Sequence, residues 1–130
     1  MDIFSKYATD ESKELTGAAV VIGDVTFMIG RAGNQNYAKR LMEMVDANKS
    51  VLNLKDKNAN DASDKIMVDV MAETILLGWD DKLTYKGETL PYSVDNAKTL
   101  LRHKDFRKEI MMAADDFGNF QLKLEEEVKN

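Results

Sequence analysis

The stretch from Met71 to Phe106 constrains this chain most, because it contains a stop, a turn and a restart in quick succession. An apolar run through Ile75, Leu76 and Leu77 breaks at Gly78, and the chain's only tryptophan, Trp79, follows at once. Leu83, Tyr85, Leu90 and Tyr92 are then spaced along a short extended piece, and the only proline, Pro91, stands just before Tyr92 and Ser93. Glycine after an apolar helical run ends the helix by taking a left-handed conformation. Serine behind proline opens the next helix, its side chain accepting a hydrogen bond from a first-turn amide. The spacing therefore predicts a helix from about Asp64 to Leu77, capped by Asp61 or Ser63, with Trp79 folded back over its end. Lys86-Gly87 supplies a turn, and a second helix starts at Ser93, carries Val94, Ala97, Leu100 and Leu101, and ends at His103-Lys104. Gly78, Trp79, Pro91 and Tyr92 are assigned the structural role of locking these two helices together.

The first of these helices places Ile66, Met67, Val70, Met71, Thr74, Ile75 and Leu77 on a face so wide that it reads as the central core helix. Upstream, Ile3 and Tyr7 have helical spacing. Ala18 to Ile22 and Val25 to Ile29 then form two β-branched runs around Gly23-Asp24, the pattern of a tight hairpin. Such a hairpin is marginal alone and must rest on helices, further strands or another chain. Gly30-Arg31-Ala32-Gly33 lacks the Gly-Lys-Ser/Thr ending of a phosphate loop and the three spaced glycines of a dinucleotide fingerprint, so it reads as a bend leading to an N-cap at Asn34 or Asn36. A helix from Gln35 to Ala47 follows, with Tyr37, Leu41, Met44 and Val45 on one face. Lys55 to Ser63 reads as a polar loop. Asp105 is expected to cap a last helix that runs through Phe106, Ile110, Ala113 and Ala114 to about Phe117. Residues 118–130 form a protruding or frayed tail, because Phe120, Leu122 and Leu124 leave the common face. The expectation is thus one mainly α domain over residues 1–130, with four to five helices and a small N-terminal β-hairpin.

Charge and cysteine usage narrow the function. With 23 acidic against 18 basic residues, the net charge of −5 repels a phosphate backbone, so nucleic acid is not an expected partner. The chain has no cysteine, which excludes thiol catalysis, disulfides and cysteine zinc sites. No apolar run approaches the ~20 residues that cross a bilayer, and acidic residues stand where a signal peptide is basic. The expected location is a cytoplasm, with no membrane contact.

Candidate chemistry is sparse. Asp56-Lys57-Asn58-Ala59-Asn60 imitates the start of a calcium loop, but Asp61 replaces the turn glycine and Met67 stands where the bidentate glutamate belongs. The single histidine, His103, lies between Arg102 and Lys104 with no nucleophile at motif spacing. Asp80-Asp81 and Asp115-Asp116 read as solvated pairs, since neighbouring side chains point apart. No catalytic, cofactor-binding or metal-binding residue is assigned, and no enzyme is expected. Most of the eight methionines fall on or beside apolar faces and read first as core filling, although methionine also suits surfaces that accept irregular apolar partners.

A family resemblance goes further. Leu76-Leu77-Gly78-Trp79, Tyr85-Lys86-Gly87-Glu88, Leu90-Pro91-Tyr92-Ser93, Asn96-Ala97, Leu100-Leu101 and Asp105-Phe106 resemble the tail assembly chaperones of long-tailed, non-contractile bacteriophages. Arg31-Ala32-Gly33-Asn34, with Asn36 and Tyr37, resembles the segment preceding the first long helix in the same proteins. The resemblance implies a helper in the cytoplasm of the infected bacterium, absent from the finished virion. It would coat and solubilise the tape measure protein and help bring the major tail protein to it. It also implies a shorter product beside a longer one made by programmed frameshifting, and a chaperone for a long, apolar partner needs several copies, so self-association is expected. The family motifs define no contact residues. The off-face groups Phe117, Phe120, Leu122 and Leu124 are therefore assigned to partner binding on their patterning alone, and the hairpin to pairing between copies. The competing reading is a small acidic adaptor for a host protein, and a third is a hydrolase using the aspartate pairs.

Overall fold

The computed structural model describes residues 2–122. After a 3₁₀ turn at Ile3–Tyr7 come α1 (Glu11–Thr16), β1 (Ala18–Ile22), β2 (Val25–Ile29), α2 (Gln35–Ala47), α3 (Lys49–Leu52) and α4 (Lys57–Thr74). Then follow β3 (Leu76–Trp79), β4 (Thr84–Tyr85), β5 (Glu88–Thr89), α5 (Val94–Leu101), α6 (Lys104–Asp115) and a final 3₁₀ turn at Phe117–Asn119. The fold is mainly helical, with a small antiparallel sheet near the N-terminus and a separate two-stranded ribbon. No helix in the described part is long and apolar enough to cross a membrane.

The hairpin forms as its sequence demands. Ala18 pairs with Ile29 and Ile22 with Val25, while Gly23 takes the φ of 65° that the first position of a primed turn requires. In the ribbon, Lys86 and Gly87 both have positive φ, 53° and 86°, so β4 and β5 close through the turn that their sequence announced.

The largest departure lies at Leu76–Trp79. The sequence reading extends the core helix through Leu77 and gives Gly78 a left-handed stop. In the structure α4 ends at Thr74, and Leu76–Trp79 is the third strand of the sheet. Gly78 lies in that strand opposite Met28, has no positive φ, and stops nothing. Trp79 lies opposite Phe27, and Leu76 opposite Ile29, with an irregularity in register that skips Leu77. A strand wins here because β2 needs a partner on its second edge. Strand pairing also satisfies the backbone groups on that edge of β2, which a longer helix, its own amides bonded internally, would leave unpaired.

The start of α4 also departs from expectation. Residues 57–63, read as loop, form its first turns. Asp56, not Asp61 or Ser63, is the N-cap, accepting from the Ala59 amide at 3.1 Å. Ala59 is buried, and α3 packs against α4, so tertiary contact stabilises a polar beginning that periodicity could not reveal. At the other end Asp105 lies inside the first turn of α6, and His103 occupies the cap position without a side-chain bond. Asn34 and Ser93 cap α2 and α5 as their positions predict.

The core joins the inner face of the sheet to α4, α5 and α6. Val25, Phe27, Ile29, Met71, Ile75, Leu76, Leu101 and Ile110 are buried in one cluster. Each of the larger groups stabilises by about 1.5–3 kcal/mol before entropy is counted. Trp79 stacks edge-on against Tyr92 with centroids 4.9 Å apart, and its Nε1 donates to the Leu90 carbonyl at 2.7 Å. Tyr92 in turn donates to the Leu76 carbonyl at 3.1 Å, and burial raises its pKa. Trp79 and Tyr92 thus tie β3 to the segment entering α5. Pro91 is exposed; its ring fixes the local backbone, and its carbonyl accepts from the Asn96 side chain of α5 at 2.8 Å.

Candidate functional site

The two ends of the described stretch meet on one surface. Asp2 caps the 3₁₀ turn by accepting from the Phe4 amide at 2.9 Å, leaving Ile3, Phe4 and Tyr7 68%, 67% and 57% exposed. The Tyr7 ring is tilted against Phe4 and against Phe117, with both centroid separations 6.3 Å. The segment behind Phe117 returns antiparallel along the N-terminal arm. The Asp10 amide donates to the Phe120 carbonyl at 2.8 Å, the Leu122 amide to Ala8 at 2.9 Å, and the Gln121 side chain to Lys6 at 3.0 Å. Leu122 remains 39% exposed beside this arm.

Arg31 ties the arrangement to the body. Its guanidinium pairs with Glu14 at 2.6 Å and lies 6.0 Å and 5.9 Å from the ring centres of Phe117 and Phe120, within cation–π reach. Its amide donates to the Glu14 carbonyl at 2.9 Å. One side chain therefore holds α1, the bend after β2 and the C-terminal turn together, and gives the bend its physical purpose.

This geometry corrects the assigned partner residues. Phe120 is fully buried and cannot offer a surface; it fills the joint between the arm and the body. Phe117 is half-buried against Tyr7, and only Leu122 of the described three is substantially exposed. Leu124 lies outside the described residues, as does the tail from residue 123. Residues 118–122 do not protrude, because their backbone is bonded to the arm. The last helix also ends at Asp115, short of Phe117. Patterning missed Ile3, Phe4 and Tyr7, whose i, i+4 spacing read only as a short helix; nothing local marks them as the neighbours of Phe117.

Other apolar groups are exposed on α2 and just after α3. Met42 and Leu54 are 74% and 59% exposed, and Leu41, Met42 and Val45 line a shallow groove of about 430 Å³. Core filling therefore accounts for Met71 but not for Met42 or Met112. Val21 projects from β1, the edge strand of the sheet.

The sequence's candidate chemical groups are scattered. His103 is exposed, its Nε2 2.9 Å from the Tyr85 hydroxyl. Asp80 is structural: it accepts from the Thr26 and Lys82 amides, both at 3.1 Å. Desolvation opposes its charge, but these bonds prevail and hold the carboxyl below its ordinary range. Its contribution to stability is present above the ordinary carboxylate pKa and lost as pH falls through the lowered native value. Among the described residues no three His, Asp or Glu side chains gather into a metal-binding group.

The family model described as YdaY prophage protein matches residues 32–130. No curated protein and no solved structure matches the chain.

Proposed function

The chain belongs to the YdaY prophage protein family, and from that premise we propose that it is a tail assembly chaperone of a long-tailed, non-contractile phage. It works in the cytoplasm of the infected bacterium as the shorter partner of a frameshifted product. It solubilises the tape measure protein and helps recruit the major tail protein. The observation carrying this reading is the joined surface of Ile3, Phe4, Tyr7, Phe117 and Leu122, where large apolar groups stand in water on a body with an intact core. Exposed apolar surface of this kind marks a protein partner, and a net charge of −5 keeps such a protein in solution. The Gly-Trp and Leu-Pro-Tyr-Ser segments carry the resemblance to tail assembly chaperones, but they are used up in holding β3 to α5.

Co-expression with the tape measure protein encoded nearby is the direct test. The unaltered chain is expected to raise the soluble fraction of that protein, and Phe4→Ser with Leu122→Ser to abolish the gain while the melting temperature holds. An unchanged soluble fraction in the double variant would remove this surface from the reading. Absence of both a downstream tape measure frame and a slippery heptamer would remove the reading itself.

Self-association is proposed through the exposed edge of β1, since an unpaired edge strand is a template for a second chain. Deleting the hairpin cannot test this, because Val25, Phe27 and Ile29 are core. Val21→Lys is the suitable change, and it is expected to lower the mass seen by light scattering at equal concentration. An unchanged oligomeric mass would exclude the β1 edge.

A further inference from the structure

The chain is acidic as a whole, yet one groove on it is bordered mostly by cations. It has a volume of about 270 Å³ and lies between α4 and the junction of α5 and α6, with Val68 among its lining. Two carboxylates serve it, and each is already shared. Asp69 meets Lys65 at 3.5 Å and Lys98 at 3.6 Å, while Asp64 meets Arg107 at 3.5 Å and Lys104 at 3.9 Å. Arg102, also on the rim, has no acidic partner among the described residues. The cations therefore outnumber the carboxylates available to them.

These cations differ in freedom. Arg107 is fixed, its side chain only 15% exposed and its guanidinium donating to the Leu101 carbonyl at 3.0 Å. Lys104 keeps a side chain 74% exposed and holds Asp64 only at the limit of an ion pair. Arg102 is exposed and uncommitted. Beside them α6 begins at His103 with no side-chain cap, and Asp105 in its first turn offsets the positive potential of the first-turn amides, so the side-chain cations alone give the groove its sign.

We propose that this groove is a docking site for an acidic peptide segment of a partner protein. Arg102 and Lys104 take its carboxylates, while Val68, only 4% exposed, closes the floor. Guanidinium and ammonium groups bind carboxylate through charge-assisted hydrogen bonds. A nucleic-acid strand fits less well, because Asp64 and Asp69 stand in the walls and the whole chain repels a run of phosphates. The site lies on elements separate from the joined chain ends and does not depend on the tape measure reading.

Fluorescence anisotropy on the full chain tests the proposal, using a labelled Glu/Leu peptide, its Gln/Leu counterpart and a single-stranded oligonucleotide of equal charge. Saturable binding of the Glu peptide is expected, weakened by added salt and by at least about tenfold in Arg102→Glu with Lys104→Glu. Both side chains are exposed, so an unchanged melting curve shows that the fold is kept. No saturable binding, equal binding of the Gln peptide, or indifference to the double substitution would overturn the proposal. Oligonucleotide binding as tight as that of the Glu peptide would also overturn it and assign the groove to nucleic acid.

Discussion

Replacing Phe120 by alanine is expected to lower the free energy of unfolding by about 3–5 kcal/mol, the range for removing a fully buried phenylalanine. The ring has no exposed surface and lies against the Arg31 guanidinium. Its backbone carbonyl accepts from Asp10, so the side chain is built into the same joint that holds the N-terminal arm. Loss of the ring leaves a cavity that the arm, attached mainly by backbone hydrogen bonds, fills only in part. Urea unfolding followed by Trp79 fluorescence measures the effect, and amide exchange at Asp10 and Leu122 reports whether the arm loosens first. Phe117→Ala should cost less, because that ring is only half-buried. A Phe120→Ala loss below about 1 kcal/mol would mean that the two chain ends are not packed as described, since a fully buried ring exceeds that value.

Gly30→Ala is expected to destabilise by about 1–3 kcal/mol, the range for overpacking a close contact. A methyl at this position would lie 2.8 Å from the Thr74 carbonyl oxygen and 3.3 Å from that of Glu14. Both obstacles are backbone, so relief requires shifting an element. The Gly30 amide donates to Ile75 at 2.8 Å and the Asn34 side chain to Thr74 at 3.3 Å, so any shift also strains the bonds joining the end of β2 to the end of α4. Gly78→Ala supplies the contrast. A methyl there would meet only the Met28 side chain at 3.6 Å, ordinary contact in a strand without positive φ. Thermal unfolding of the two variants separates the readings: a left-handed helix stop would make Gly78 the costly site, whereas the sheet makes it Gly30.

Several local signals are legible because the decisive partner lies within a few residues, although the caps of α4 and α6 fall at Asp56 and His103 and not at the expected Asp61 or Ser63 and Asp105. Gly23 at a two-residue turn, Lys86-Gly87, Asn34 before Tyr37 and Ser93 before Asn96 each act on their own neighbours, and each stands where its chemistry placed it. Helix α2 needs only its cap and its apolar stripe. Misreadings arose where a distant contact overrode a local preference. Leu76–Trp79 has the composition of a helix end, but pairing with β2 makes it a strand. Residues 57–63 are polar enough for a loop, but Asp56 and the packing of α3 make them helix. Phe120 departs from the helical face of its neighbours and so looks exposed, yet the chain turns at Asp116 and buries it beneath an arm more than a hundred residues away in sequence.

The candidate site was legible only at its C-terminal side. Patterning marks Leu122 and Phe117, whereas Ile3, Phe4 and Tyr7 belong to the same surface solely because the bend anchored by Arg31 brings them to one place. The amino-acid sequence by itself determined the helical character, the hairpin, the caps at Asn34 and Ser93, the absence of thiol chemistry and the acidic charge, since all of these follow from composition or short-range spacing. Only the tertiary structure decided that Gly78 and Trp79 form a strand, that Phe120 is core, and that the chain ends build one exposed apolar surface. A third strand, a buried ring and a joined surface each depend on which distant segment supplies the missing hydrogen bonds and the covering side chains, and short-range spacing does not carry that information.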